Sequence, residues 1–504
     1  MDHARPRARG IVARVGVLLA MSVGAIACGS AEDAASSGDP ASGEPSPPGA
    51  PPAGGNASPG SPGSPGSSGG PGSGGPSGLD VTLEMGLQHV AGARLRPHWY
   101  ETADGDREFV AWFDTQLGTE CAFETASDGA LRCLPKVSAS AGAPTGCAGP
   151  HISLGHGIAM CGTPKYVRRE IAGCPKRAAI DAVGALTSCT VQSPASYNGA
   201  IDFYAAGGEV PATTFVKGTR SSKTVTASLA VDVITGDDGS IGAESYLDTM
   251  HGGVACSFIK AADGQLRCLP RATANLPAFL FADAACSSSP RASGDVCGST
   301  KFASRHQGTP VCDPLTTITA LGAPTTGPRY IRNSPTICSP TGTLGSGDYT
   351  VGAEVPATAF ASANARDPKS ATRLRPVVLE SGAANVRAGW FDTVRNEACS
   401  VGVAADGTTR CLPQANDAYY YADASCTKLI HMAYPESICE AKYMAVTRSD
   451  LSCPPRKRLF AKGASKTGPI YYLFNGVCTS GGTFPYIDSG AELPASSFEV
   501  VTAK

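Results

Sequence analysis

The sequence predicts an all-β protein made of three repeats, each held together by disulfide bonds. A sixteen-residue phrase occurs three times, as ECAFETASDGALRCLP at 120–135, ACSFIKAADGQLRCLP at 255–270 and ACSVGVAADGTTRCLP at 398–413. The surrounding segments are short, rich in aromatic and β-branched residues, and bounded by Gly, Asp, Asn and Pro, which is typical of β-strands. A second phrase, EVPATTF, EVPATAF or ELPASSF, closes each repeat. A period this regular indicates a repeat architecture.

For the arrangement of the repeats we expect a β-propeller-like array, because radial repetition hides exposed strand edges. Three tandem small β domains are the alternative, since each repeat is long enough to fold alone. Within a repeat, the strand pattern suggests three β units. The expected division is a signal peptide at 1–27, a lipidated cysteine with a disordered Gly/Pro/Ser/Ala tether at 28–78, and β repeats at 79–218, 219–363 and 364–504.

Each sixteen-residue phrase has the features of a β-hairpin that is stapled by its own two cysteines. The Asp-Gly pair suits a tight turn, because glycine readily adopts the left-handed conformation that such a turn requires. The cysteines lie 12 residues apart and flank the turn. Neighbouring antiparallel strands bring Cα atoms to about 5.5 Å, which a disulfide can span.

Eighteen cysteines fall into three sets of six, and an even number in an exported chain indicates a disulfide framework. We expect sequential pairing within each repeat: first with second, third with fourth, and fifth with sixth. The closely spaced pairs of a zinc site are missing from the sequence, so we expect no metal and no cofactor. The cysteines are Cys121, Cys133, Cys147, Cys161, Cys174, Cys189, Cys256, Cys268, Cys286, Cys297, Cys312, Cys338, Cys399, Cys411, Cys426, Cys439, Cys453 and Cys478.

The N-terminus has the features of a bacterial export signal. Arginines precede an apolar run from Val15 to Ala27, which is too short for a membrane span. The run ends in GAIAC, which resembles a lipobox, although Ala25 stands where that motif prefers Leu. We expect Cys28 to carry a lipid. Gly29 is not the Asp that commonly retains lipoproteins in the inner membrane, so we expect an outer-membrane location, on the periplasmic or the surface face.

Two sets of acidic residues recur at fixed positions, and we interpret both as structural. Acids that are repeated by symmetry commonly anchor turns or accept backbone N–H groups. They are Asp114, Asp248 and Asp392, and Glu209, Glu354 and Glu492.

The histidines, in contrast, share no common repeat position. His151 and His156 form the segment HISLGH in the first repeat only. They are therefore the first place to look for acid–base or metal chemistry, although the sequence shows no third partner. We assign no catalytic residue.

The DG…RCLP, ADAxC and GAEVP phrases resemble those of an uncharacterised family of secreted, Pro/Gly-tethered Cys-repeat lipoproteins of the myxobacterial type. The resemblance covers roughly residues 79–504 and implies no activity.

Net charge and patterning limit the possible partners. The formal charge is −2 and no run of Lys or Arg stands out, which argues against nucleic-acid binding. We expect contact with the membrane through the lipid only. The preferred hypothesis is a non-enzymatic binding or structural module with a protein or glycan ligand of unknown identity. The alternative is an envelope hydrolase whose single active site consists of non-repeated residues, and convergence of such residues in one recess would favour it.

Overall fold

The computed structural model is built almost entirely from β-strands. In the part of the chain that it describes, four short 3-10 turns interrupt the strands and no α-helix occurs. No helix there is long and apolar enough to cross a membrane. The prediction of an all-β repeat protein is confirmed. The described residues are 88–136, 141–142, 151–155, 164–186, 201–271, 274–275, 280–287, 291–293, 301–307, 315–334, 337–344, 347–366, 372–432, 442–448, 454–474 and 477–504.

Repeat 1 consists of two β units. Its strands are β1 (His89–Val90), β2 (Leu95–Glu101), β3 (Arg107–Asp114), β4 (Thr119–Thr125), β5 (Leu131–Pro135), β6 (Ala141–Gly142), β7 (His151–Gly155), β8 (Tyr166–Ile171), β9 (Arg177–Leu186) and β10 (Ile201–Glu209). Strands β2–β5 form a four-stranded antiparallel sheet, which we call meander 1. Strands β6–β10 form a separate sheet in the order β6-β7-β10-β9-β8.

Repeat 2 also begins with a meander, and two further sheets follow it. Its strands are β11 (Gly218–Thr224), β12 (Leu229–Gly236), β13 (Ile241–Asp248), β14 (Val254–Lys260), β15 (Leu266–Pro270), β16 (Ala274–Asn275), β17 (Leu280–Phe281), β18 (Arg291–Ser293), β19 (Phe302–Gln307), β20 (Leu315–Pro324), β21 (Gly327–Ser334), β22 (Ile337–Leu344) and β23 (Asp348–Val355). Strands β12–β15 form meander 2. Strands β16-β18-β23-β20-β19 close into a small barrel, and β17-β21-β22 form a three-stranded sheet.

Repeat 3 ends with two long strands. Its strands are β24 (Ser362–Arg366), β25 (Leu374–Ser381), β26 (Ala384–Asp392), β27 (Glu397–Val403), β28 (Thr409–Pro413), β29 (Asn416–Asp417), β30 (Tyr420–Tyr421), β31 (Leu429–Met432), β32 (Tyr443–Arg448), β33 (Arg456–Phe474), β34 (Val477–Glu492) and β35 (Thr502–Ala503). Strands β25–β28 form meander 3, and β29–β34 form a six-stranded sheet. Each repeat thus begins with a meander. Among the described residues, one further sheet follows it in repeats 1 and 3, whereas a barrel and a three-stranded sheet follow it in repeat 2, so the expected three units are found in repeat 2 alone.

The sixteen-residue phrase forms the last hairpin of each meander. Its glycine has a positive φ in every copy, 79° at Gly129, 77° at Gly264 and 81° at Gly407, which a residue without a Cβ adopts readily. All three hairpins are bridged, with Cα separations of 5.3, 5.1 and 5.3 Å, by Cys121–Cys133, Cys256–Cys268 and Cys399–Cys411.

The segments between repeats join the meanders into a closed hydrogen-bonded circuit. Strand β24 pairs with both β15 and β25, so it belongs to meanders 2 and 3 at once. Lys217 bridges to Arg132 of β5 immediately before β11, which pairs with β12. Val500 bridges to Arg410 of β28, and β35 pairs with β2. The C-terminal strand therefore returns to the first meander.

The core of each meander also packs against the next meander. Leu95 and Trp112 of meander 1 share a cluster with Ile234 of β12. The core of meander 2 includes Ala384 of β26, and Tyr100 of β2 packs on the core of meander 3. The propeller arrangement is not confirmed, because each repeat adds a second β unit and neighbouring meanders share strands at their edges. Three tandem β repeats, the alternative, fit the structure.

The second units contain a disulfide that sequential pairing does not predict. Cys286 is bonded to Cys338, and Cys426 to Cys478, each across 52 residues. The third cysteine of the repeat therefore pairs with the sixth, and the predicted bridges from third to fourth and from fifth to sixth are wrong in repeats 2 and 3. The reason is that β17 pairs with β21, whose hairpin partner β22 carries the sixth cysteine.

Cys174 of repeat 1 is also disulfide-bonded. The remaining cysteines lie outside the described residues, and they are Cys28, Cys147, Cys161, Cys189, Cys297, Cys312, Cys439 and Cys453.

Candidate functional site

The recurring aspartates end the second strand of each meander and are buried. Asp114 accepts hydrogen bonds from Arg94, at 2.7 Å from Nη2 and 2.8 Å from Nε, and from two backbone N–H groups of the following turn. Asp392 is held in the same way by Arg373, whose Nη2 lies 2.9 Å from Oδ2. The prediction that these acids anchor turns is confirmed.

Repeat 2 keeps the aspartate but changes its partner. Ser228 stands before β12, where the other repeats have arginine. His251 occupies the place of the missing counterion, with Nδ1 at 2.6 Å from Oδ2 of Asp248. Asp248 also accepts the backbone N–H of Met250 at 3.0 Å. This histidine is therefore part of the turn that Asp248 anchors.

The recurring glutamates lie at the end of each second unit. Glu209 is paired with Arg169 at 3.1 Å, and Glu492 with Arg458 at 2.8 Å. Glu354 is exposed and lies opposite Thr319 in the ladder of β20 and β23. Two of the three therefore support the structure through an arginine on a neighbouring strand, as expected.

The arginine of RCLP has a role that sequence analysis missed. It pairs with the aspartate of its own Asp-Gly turn, as in Arg267 with Asp263 at 2.8 Å. Its Nη1 also donates to the backbone carbonyl that ends the PATTF-type phrase. The distances are 2.9 Å from Arg132 to Phe215, 2.8 Å from Arg267 to Phe360 and 2.6 Å from Arg410 to Phe498. The two recurring phrases are thus one structural device, although about ninety residues separate them.

An aromatic residue from each meander reaches the next meander. Tyr246 Oη donates to the carbonyl of Asn385 at 3.1 Å, and Trp390 Nε1 donates to Glu108 Oε2 at 2.5 Å. The third such residue, Trp112, is 2 % exposed, and its Nε1 has no hydrogen-bond partner among the described residues. The contact between meanders 1 and 2 is therefore the one in which this polar atom is left unsatisfied.

Charged residues and a histidine converge at that same contact. We call this set the junction cluster. Its members come from both meanders and from β11, and they are His98, Glu120, Lys136, Arg220, Asp232, Glu244 and Arg271. Meander 3 lacks these side chains. It has Val377 at the position of His98 and Asp232, Ala388 at the position of Glu244, and Ala398 at the position of Glu120, as the strand registers show. The cluster is thus specific to one of the three contacts.

Acidic groups of the junction cluster contact a histidine and a lysine of meander 1. His98 Nδ1 lies 2.6 Å from Glu120 Oε1. Lys136 interacts with both Glu120 and Glu244, and its Nζ donates to the carbonyl of Val110 at 2.9 Å. This chain of charges links the edge of meander 1 to the centre of meander 2.

Asp232 and Glu244 form the acidic part of the cluster. Asp232 is 6 % exposed, and Arg220 Nε lies 3.3 Å from its Oδ2. The side chain of Glu244 is exposed to solvent, although protein crowds around its carboxylate. This crowding by protein raises the pKa of Glu244 to about 6, the charge of Asp232 acts in the same direction, and Arg220 and Arg271 oppose it. Burial likewise raises the pKa of Asp232.

The cluster brings ionisable side chains together at one contact, where they can exchange protons and make polar contacts. A carboxyl group with a pKa near neutrality can exchange a proton. No group of three or more His, Cys, Asp or Glu side chains in the described ranges is arranged to hold a metal ion. Sequence reasoning overlooked these residues, although an isolated acid within the apolar strand LAVDVITG was a usable signal.

The two histidines that the sequence singled out are not part of this cluster as described. His151 begins β7, and its side chain lies outside what the structure describes. His156 lies outside the described residues. Their role stays a prediction.

Comparison with known proteins gives a family but no activity. No curated protein and no solved structure matches the chain. A family model described as a family of unknown function (DUF7481) matches residues 80–479, which include most of all three repeats. The protein belongs to this family of unknown function.

Proposed function

We propose that this protein is a cell-envelope lipoprotein that displays its disulfide-rich β body as a binding or structural module. The observation that carries the proposal is the use of the recurring polar residues. The three aspartates hold turns, and the three RCLP arginines hold the segments that link the repeats. Repeated catalytic groups would instead face a recess in which a substrate could bind.

The geometry favours a durable scaffold. Stapled hairpins, a closed circuit of meanders and ion-paired turns all resist unfolding outside the cell, where disulfides persist. Repeat proteins commonly bind through one face of the array. The ligand class that we propose is a protein or a glycan of the envelope.

Anchoring is tested by changing the lipidated residue. Cys28→Ala should move the protein from the membrane fraction to the soluble fraction, while Ser30→Ala, a neighbouring change, should leave it in the membrane. Unchanged fractionation of the Cys28 variant would contradict a lipid anchor. Detergent-resolved separation of the inner and outer membranes would then test the outer-membrane location.

A hydrolase is kept as the second candidate because one specific pair supports it. His98 and Glu120 are within hydrogen-bond distance and partly exposed, which is the arrangement of an oriented general base. The purified full chain should show no turnover in a broad panel of esterase, glycosidase and peptidase substrates. Turnover that His98→Ala or Glu120→Gln abolishes, but Glu354→Gln does not, would replace the binding hypothesis with the enzyme.

A further inference from the structure

A β-bulge in meander 2 brings two carboxyl groups together. Asp232 pairs with Ser245 in the ladder of β12 and β13, whereas the next residue, Val233, pairs with Ala243. Glu244 is therefore the extra residue of the bulge. Bulges redirect side chains and often occur at functional positions. Here the redirected side chain carries an acid next to Asp232, whose charge raises the pKa of Glu244.

The meander 1 side of this contact leaves the acids incompletely satisfied. Asp232 is nine-tenths buried, and within the described residues its Oδ1 has no hydrogen-bond partner. The indole N–H of Trp112 lies close enough to favour the charged form of Glu244, but it does not reach hydrogen-bond geometry. In the contact between meanders 3 and 1, the equivalent Trp390 makes a direct bond to Glu108.

We propose that Asp232 and Glu244 form a proton-binding site that tightens the contact between meanders 1 and 2 in mild acid. Two carboxylates held side by side, one of them buried, cannot both ionise without a cost in free energy. Uptake of one proton from solvent by Glu244 removes this repulsion. The ionised pair at neutral pH leaves the junction looser.

Every charged group that faces the pair enters this balance. Arg220 of β11, Arg271 after β15 and Lys136 after β5 favour the ionised form, and so does the Trp112 indole. Crowding by protein and the charge of Asp232 favour the protonated form of Glu244, and together they exceed the effect of the basic groups.

The sign of the pH effect follows from the raised pKa of Glu244. The folded state binds the proton more tightly than the unfolded chain, whose glutamate has a pKa of 4.5. The stability from this proton is therefore fully present below pH 4.5 and is lost as the pH rises through about 6. Such a shift corresponds to at most about a 30-fold change in the unfolding equilibrium, and access of Glu244 to solvent reduces this to about tenfold.

The test compares urea unfolding of the purified full chain, with disulfides intact, at pH 4.5 and pH 7.5. The variants are Glu244→Gln and the matched control Glu354→Gln, an exposed glutamate of the same repeat. We expect Glu244→Gln to lower the unfolding equilibrium constant about tenfold at pH 7.5 and to leave it unchanged at pH 4.5. The control should match wild type at both values.

Two results would overturn the proposal. A Glu244→Gln protein that is less stable than wild type at pH 7.5 would show that Lys136 and the arginines hold Glu244 as a favourable ion pair. A difference between variant and wild type that does not change with pH would show that Glu244 takes up no proton in this range. Neither result bears on the lipid anchor or on ligand binding, which are tested separately.

Discussion

Removal of the Asp392 carboxylate should loosen meander 3 and its link to meander 1. Asp392 is fully buried and holds Arg373, which also contacts Glu499 at 3.0 Å and the carbonyl of Ser497 at 2.7 Å. Loss of one partner from a buried ion pair costs about 3–5 kcal/mol. Arg373 is partly exposed and keeps its other contacts, so we expect the lower end, about 3 kcal/mol, for Asp392→Ala.

Tryptophan fluorescence during urea unfolding measures this effect directly. The chain has three tryptophans, Trp99, Trp112 and Trp390, and all lie in meanders 1 and 3. At a slope of about 2 kcal/mol per molar urea, the midpoint should fall by about 1.5 M. The matched control is Asp406→Ala, which removes the exposed partner of Arg410 in the same meander and should cost at most about 1 kcal/mol. A shift for Asp392→Ala no larger than that of the control would refute this account of the recurring aspartates.

Three further predictions concern the circuit, the RCLP arginine and the disulfides. Deletion of residues 499–504 removes β35 and the buried Val501. Meander 1 should then become sensitive to limited proteolysis, while meander 2 stays protected. Equal protection of both meanders would contradict closure of the circuit by the C-terminal strand. Arg267→Leu should destabilise the protein by about 2 kcal/mol, because the carbonyl of Phe360 loses a charged donor, whereas Arg329→Leu, in the second unit of the same repeat, should have little effect on the tryptophan signal. Non-reducing peptide mapping should find the fourth cysteine of each repeat bonded to the fifth, because the third and sixth are already paired in repeats 2 and 3. The expected pairs are Cys161–Cys174, Cys297–Cys312 and Cys439–Cys453. A bridge between repeats would disprove this pattern.

Sequence reasoning succeeded where the relevant contacts are local. The stapled hairpin depends on sixteen consecutive residues, so its turn, its strands and its disulfide could all be predicted from residue types and spacing. The same is true of Asp114, which accepts hydrogen bonds from the turn that immediately follows it. The ion-pair partners of these carboxylates were not predicted, because the arginine of repeats 1 and 3 comes from a neighbouring strand, and in repeat 2 His251 takes its place.

By itself, the sequence determined the strand content, the number of repeats and the stapled hairpins, because these follow from local turn chemistry, side-chain alternation and the period of the cysteines. Only the tertiary structure decided the third-to-sixth disulfides, the return of β35 to β2, and the meeting of Asp232 and Glu244 beside Trp112. Each of these depends on which distant strands pair and in which register. Strands with similar patterns can pair in many ways, and the free energy of the whole packed circuit selects one of them.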